Sequence, residues 1–455
     1  MHPYFRLPKP QFKAAHPYFK LPDPLRPRTV GESPWTLLAL CAAYQWPKNA
    51  PGGGKIGVVE LGGGWVPADM SSFFESIGQK VPTINNVSVD GTVNAPTPGN
   101  DSPDYEVTLD IQAAAGSYCV ATGGQLAEIN VYFSKNIDTA ILKALADGCD
   151  VCTISWGGPE NQWPAGTGEG SAVALEAAMQ AAVAGGMVVI AAAGDSGSGD
   201  GENGQNVDLP AGCPHALGGG GTTKIASPAS EYVWNDGADD ATGGGFSSIW
   251  PMQSWQSGAQ TPPSRLGREV PDFAANGDPN TGLEIFCHGS SLAIGGTSVV
   301  APFMAGLIAA CGKKLALLTP NGIGPLFYSN LHAFTQITVG NNGVYDANTP
   351  VNPCCGVGVP NGTAVLALLT GGVVPVPIQT PVPTPAPAPI PTPSPTPSPT
   401  PPTSPTQVQL LAALATIYGW YKTLMKKQLP SPTVQQAFAV VEAYVLAAVR
   451  SLWRH

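Results

Sequence analysis

Residues 150–194 read DVCTISWGGPENQWPAGTGEGSAVALEAAMQAAVAGGMVVIAAAG. The first run, DVCTISW, and the last, GMVVIAAAG, are short and apolar, whereas Ala172–Ala184 between them carries apolar residues at helical spacing. Gly185 and Gly186 end that helix just before the second run. The same alternation surrounds it, with KIGVVEL (55–61) and AEINVYF (127–133) as further strands and Ile137–Ala146 as a further helix. Strands that read as continuous apolar runs are buried on both faces. The segment therefore predicts an α/β fold, a mostly parallel sheet flanked by helices.

Composition limits what such a fold can serve. Of 455 residues only 11% are charged, while Gly (55) and Pro (48) together exceed a fifth, which excludes an ordinary helical protein. A hydrophobic content of 43% suffices for a large core, and no uncharged apolar run reaches the roughly 18 to 20 residues that cross a bilayer. The net charge of -10 is unevenly spread: residues 31–371 hold ten bases and twenty-nine acids. So acidic a core argues against nucleic acid as a partner and suits surroundings in which some carboxylates are protonated.

Outside the core the pattern changes. Residues 1–30 form a basic, Pro-rich arm with a near-duplicate, HPYFRLPKP at 2–10 and HPYFKLPDP at 16–24. The arm reads either as disordered or as two copies of a linear docking motif. A single large α/β domain spans 31–371. Residues 372–406 are a Pro-rich linker expected to be polyproline II, and 407–455 carry two apolar seams expected to form a helical hairpin for docking or self-association. The start MHPYFRLPKP has no apolar h-region, so no secretory signal is visible. Nine cysteines include one C-x-x-C, Cys149 and Cys152, without a second ligand pair, so they read as buried thiols and not as a zinc or redox site.

Three stretches carry chemistry. In Gly295–Pro302, GGTSVVAP, a glycine-rich turn leads into an apolar helix and places Ser298 at a helix N-terminus, where backbone N–H groups can stabilise developing negative charge. None of the histidines of the acidic domain, His215, His288 and His332, stands in a recognisable triad motif. Carboxylates are the alternative base. Glu106 and Asp110 in EVTLDIQAAAG lie four apart on one helix face, followed by an apolar run that turns them inward; buried together, they would share a proton. Asp195 in AAAGDSGSGDG follows a buried strand, at the edge of a parallel sheet where ligands bind.

These segments, with KIGVVELGGGW, TISWGGPE, VWNDG, TGGGFSSIWPMQSWQ and VPDFAANGDPNTG, resemble the sedolisins, or serine-carboxyl peptidases, in order over roughly residues 32–365. The resemblance implies a subtilisin-like fold and acid-active endopeptidase chemistry on polypeptides, with a tripeptidyl aminopeptidase or a non-catalytic scaffold as alternatives. It makes Ser298 the nucleophile, Glu106 its general base, Asp110 the support of Glu106, and Asp195 the protonated acid of the oxyanion hole. Glu60 and Trp156 resemble an outer hydrogen-bond network. Ser155, Gly157 and Gly158 would bind an extended peptide through their backbone, and Asp208 would favour a basic substrate side chain. An extracellular or acidic compartment follows from the same resemblance.

Two departures stand out. The family binds calcium through two aspartates near the end of the domain, where this chain has Gln336 and Asn352, so no metal cofactor is expected unless nearby Asp346 substitutes. About thirty residues precede the domain in place of a large folded propeptide. The HPYF arms are expected to keep a fragment of its role by lying along the cleft.

Overall fold

The computed structural model describes His16, Pro17, Lys20 and residues 32–372, apart from 98–102, 165, 227–228, 238–239, 257–266, 313–314, 316–318 and 320. The Pro-rich linker beyond Gly372, the helical hairpin and the first HPYF copy lie outside the described residues.

In chain order the strands are β1 (His16–Pro17), β2 (Lys55–Glu60), β3 (Thr83–Ser88), β4 (Glu128–Phe133), β5 (Val151–Ile154), β6 (Trp156–Pro159), β7 (Val188–Ala192), β8 (Asp208–Leu209), β9 (Ala216–Ala226) and β10 (Ala229–Val233). The main sheet runs β10-β9-β7-β5-β2-β4-β3. All its pairs are parallel except β10 against β9, and the strand Phe273–Asn276 joins β9 in parallel. The helices that frame the site are α1 (Leu37–Ala43), α2 (Pro67–Ser76), α3 (Asp104–Thr122), α4 (Ile137–Ala146), α5 (Ala172–Ala184) and α6 (Thr297–Ala310). No described helix is long and apolar enough to cross a membrane.

The sheet separates two hydrophobic cores. On one face Val107, Ile111 and Tyr118 of α3 pack with Val300, Phe303 and Leu307 of α6; on the other, Ile141 of α4 and Leu175 and Met179 of α5 cover Val59, Cys152 and Val189. Both α3 and α6 are apolar nearly all round, as helices sealed inside a domain must be. They approach so closely that a Cβ on Gly306 would lie 2.3 Å from the Ala114 carbonyl oxygen. This contact holds the two helices that carry Glu106, Asp110 and Ser298 at a fixed separation. All nine cysteines are buried and unbridged, and the thiols of Cys149 and Cys152 are pushed up by burial.

Candidate active site

Ser298 is the second residue of α6, whose N-cap, Gly296, has φ 107°, a conformation open to glycine and strained for other residues. Thr297 beside it fastens this helix start to the end of β7. Its backbone N–H and its hydroxyl both donate to Asp195 Oδ1, at 2.7 and 2.8 Å, while its Oγ1 accepts the Gly194 N–H at 3.1 Å. Asp195 is thereby fixed at the carboxyl end of the parallel sheet. Its other oxygen, Oδ2, is buried and has no hydrogen-bond partner among the described residues. Burial raises the Asp195 carboxyl to about 7, against the opposing pull of the Thr297 bonds and of the Lys20 charge. Thr297 was not singled out from the sequence, although its place in the GGTS turn is the signal that could have found it.

Across the cleft, Glu106 and Asp110 stand one turn apart on the inward face of α3, both fully buried. Asp110 Oδ1 accepts the Ser155 hydroxyl at 2.8 Å, and Glu60 Oε2, at the end of β2, accepts the Trp156 indole N–H at 2.9 Å. The remaining oxygens, Glu60 Oε1, Asp110 Oδ2 and both of Glu106, have no hydrogen-bond partner among the described residues. Burial, then mutual repulsion, holds Glu60 and Glu106 well above the carboxylate range, and burial does the same for Asp110. Such a cluster cannot ionise fully, so it retains protons.

The Ser298 hydroxyl lies close enough to Glu106 to favour its ionised form, although it makes no closed hydrogen bond in the cleft as it stands. Loose geometry of this kind is common before substrate arrives. Among the described residues no imidazole contacts Ser298, since His215 pairs with Glu176 and His288 with Asp104.

The His288 pair is a feature that sequence reading missed. Asp104 Oδ2 meets His288 Nε2 at 3.0 Å and accepts the Thr97 N–H at 2.7 Å, while Oδ1 accepts the Gly64 N–H at 2.8 Å. Asp104 thus ties the first turn of α3 to three loops, two residues before Glu106.

The wall of the cleft is β6, which pairs with β8 on one edge and with β1 on the other. Opposite Pro159 stands Asp208, fully buried; a Cβ on Gly157 would lie 2.5 Å from its Oδ1, so only glycine fits beside it. Asp200 hydrogen-bonds Asp208, and burial raises its carboxyl to about 7. Ser298, Glu106, Asp110 and Asp195 therefore converge, Glu60, Trp156 and Ser155 brace them, and Gly157, Gly158 and Asp208 line the flank.

At the positions where the resemblance puts calcium ligands, the residues do not fit a hard cation. Asn352 Nδ2 donates to the carbonyls of Ile337 and Thr349, at 2.8 and 2.9 Å, while its Oδ1 accepts the N–H groups of Cys354 and Cys355. Gln336 Nε2 donates to the carbonyls of Leu331 and Phe334, and Asp346 is exposed. No group of three metal-ligating side chains occurs among the described residues. Melting of this protein is accordingly expected to be insensitive to chelators. Asn352→Asp should destabilise it by roughly 2 to 4 kcal/mol, because two donors are lost and a carboxylate is set against two carbonyl oxygens. Melting curves of both proteins with and without EDTA check this, and a chelator-induced drop for the native chain would refute it.

The Subtilase family profile matches residues 113–338. Kumamolisin of Bacillus sp. (strain MN-32) is 41% identical over 372 residues, covering 76% of this chain and 65% of its own; sedolisin of Pseudomonas sp. (strain 101) is 28% identical over 331 residues, covering 65% and 54%. The chain thus spans less than two thirds of the length of these relatives. A solved structure of Pseudomonas sedolisin, a serine-carboxyl proteinase complexed with two molecules of pseudo-iodotyrostatin, superposes with a TM-score of 0.63 at 23% identity, over 75% of this chain and 99% of that one, which establishes the subtilisin-like fold. With this fold, and with greater likeness to kumamolisin than to sedolisin itself, the chain belongs to the sedolisin family of serine-carboxyl peptidases.

Proposed function

We propose that the chain is an acid-active serine-carboxyl endopeptidase. The observation that carries this reading is that Ser298 faces Glu106, with Asp195 tied to the start of the same helix and no imidazole bonded to Ser298 among the described residues. In the fraction of molecules whose carboxyl cluster has lost one proton, at Glu106, that carboxylate takes the Ser298 proton as Oγ bonds to the scissile carbonyl carbon. The carbonyl oxygen becomes an oxyanion that receives hydrogen bonds from the Ser298 backbone N–H and from a protonated Asp195 at Oδ2. The C–N bond breaks as Glu106 returns the proton to the leaving amine. Water then attacks the acyl-enzyme with Glu106 again as base, freeing the acid product and Ser298.

Asp110, with Glu60 behind it, keeps the Glu106 proton affinity high. Ser155, Gly157 and Gly158 present the β6 backbone to an extended substrate, and the Asp208 carboxyl beneath them favours a basic side chain. The edge of β6 on which β1 pairs antiparallel offers main-chain groups to an extended substrate.

The test is digestion of an unstructured protein across pH 2 to 7, with Ser298→Ala as control and product termini read by mass spectrometry. Internal cuts below about pH 6 that the control lacks are expected. Release of tripeptides alone would indicate an aminopeptidase, and no difference from the control a scaffold without catalysis.

A further inference from the structure

Positions 104, 108 and 112 of α3 follow one another at intervals of four and so share one face of the helix. All three meet the antiparallel hairpin of strands Leu283–Cys287 and Ser290–Ile294. Asp104 Oδ2 lies 3.0 Å from His288 Nε2 at the hairpin turn, and Thr108 Oγ1 accepts the Cys287 thiol at 3.8 Å. Gln112, fully buried, clasps both main-chain groups of Phe286, accepting its N–H at 3.0 Å and donating to its carbonyl at 2.7 Å. Glu106 and Asp110 stand two residues on from Asp104 and Thr108, which turns them about 200° round the helix at 3.6 residues per turn. They point away from the hairpin and into the cleft, where Asp110 meets Ser155 and Glu106 feels the Ser298 hydroxyl. The hairpin thus backs the helix directly behind its catalytic carboxyls.

The same hairpin carries the nucleophile. Its second strand ends at Ile294, and only Gly295, Gly296 and Thr297 separate that strand from Ser298. Its base is anchored, since the Trp35 N–H donates to the Gly282 carbonyl at 2.8 Å and the Glu284 N–H donates to the Trp35 carbonyl at 2.9 Å. Its turn is held by a second helix as well: buried Asp69 of α2 accepts the N–H groups of His288 and Gly289, at 2.9 and 2.8 Å. One ribbon therefore has the helix of the base fastened along its first strand and the nucleophile at the end of its second. We propose that this hairpin is the gauge that sets the separation of Glu106 from Ser298, and that His288 is a positioning residue that locks the gauge to the first turn of α3.

The backbone at His288 supports the assignment. Its φ is 51°, in the left-handed region that side chains seldom adopt, and Gly289 after it has φ 73°. Glycine would suit both positions of this turn. The imidazole stands at 288 against that preference, and its ring joins the turn to Asp104 and packs on Tyr105, with 5.2 Å between ring centres. Strain of this kind is kept where the side chain has a task.

The kinetic part of the test rests on the peptidase reading and the structural part does not. Three full-length proteins are compared: native, His288→Gly and His288→Gln. Glycine removes the ring while relaxing the turn, so the fold is kept, and glutamine keeps a donor of similar reach to Asp104. In crystals grown at neutral pH, the Glu106 carboxyl of His288→Gly is expected to lie farther from Ser298 Oγ by on the order of 1 Å, a displacement that should lower kcat about ten- to hundredfold. KM should stay within about twofold, because β6 and Asp208 are untouched. The acid limb of kcat should move to higher pH, since the Ser298 hydroxyl favours ionised Glu106 while burial and the charges of Asp110, Glu60 and Asp195 oppose it. Glutamine should restore the separation, kcat and the limb. A ring that served stability alone would lower the melting temperature and leave the acid limb in place. An unchanged Glu106 to Ser298 separation in His288→Gly overturns the proposal, and so does an unmoved acid limb in an active variant. A widened separation in a chain without Ser298-dependent turnover upholds the gauge and refutes the peptidase.

Discussion

Acidification from pH 7 to pH 4 is expected to raise the melting temperature of this protein, where most proteins hold level or lose stability. The cause is a set of buried carboxyl groups held above their ordinary range. Asp195 and Asp200 both rise to about 7, and Glu60, Glu106 and Asp110 move in the same direction, with burial the leading cause in each. A carboxyl whose folded value is raised binds its proton more tightly in the native state than in the unfolded chain, where it titrates near 4. Below about pH 4 both states are protonated and the native state keeps its full advantage. Between about 4 and 7 the unfolded chain gives up protons that the native state still holds, so stability falls as pH rises through this window and levels off above it.

For Asp195 alone, a rise of about three units corresponds to roughly 4 kcal/mol. Asp200 adds less than a second such amount, because the two carboxyls repel each other and their titrations are linked. For a domain of this size the sum shifts the melting temperature by on the order of 5 to 10 °C. The measurement is calorimetry at half-unit steps from pH 4 to 7 on Ser298→Ala, which avoids self-digestion and removes only a hydroxyl without a hydrogen-bond partner. A melting temperature that is flat or falls on acidification would show that these groups are not held in their neutral form.

The elements legible in the sequence are those whose residues do one thing at a time. The strands at 55, 128, 151 and 188 are mostly apolar runs, interrupted inside only by Asn130 and Thr153, and Ala172–Ala184 and Ile137–Ala146 have the bounds that their periodicity predicts. The other four strands of the main sheet were not read, and two of them show why. TINNVS forms β3 at the sheet edge, where exposed positions tolerate two asparagines. ALGGGGTTKIA forms β9, in which a glycine run, ordinarily a loop signal, is required by close neighbours: a Cβ on Gly220 would meet Pro271 Cγ at 2.6 Å, and one on Gly221 would meet Trp234 Cε3 at 2.7 Å.

Within the site, the i, i+4 pair Glu106 and Asp110 was visible because helix geometry alone puts both on one face. That Glu60 and Trp156 join them depends on which strands are neighbours in the sheet, which no local pattern encodes. The same holds for Asp104 and His288, separated by 184 residues in sequence and 3.0 Å in space.

Asp195 separates catalysis by a protonated acid from every alternative, because its two oxygens have different tasks. Oδ1 is saturated by the Thr297 N–H and hydroxyl, so only Oδ2 can carry the proton that the oxyanion needs. Asp195→Ala removes that donor and should lower kcat by about 10²- to 10³-fold at the pH optimum. Asp195→Asn keeps an acceptor toward Thr297 and puts an amide N–H where Oδ2 stood, a donor that does not titrate. Its kcat at the optimum is therefore expected within about tenfold of the native value, while the fall in kcat expected of the native protein as pH rises toward 7 should move to higher pH or disappear. In the native protein that fall follows from the sign of the shift, since the donor is present below about pH 7 and is lost above it. The decisive measurement is the pH profile of kcat for the three proteins on one peptide substrate. An Asn variant as inactive as the Ala variant at every pH would mean that Asp195 acts as an ionised group, and an Asn profile with the native upper limit would assign that limit to the carboxyl cluster around Glu106.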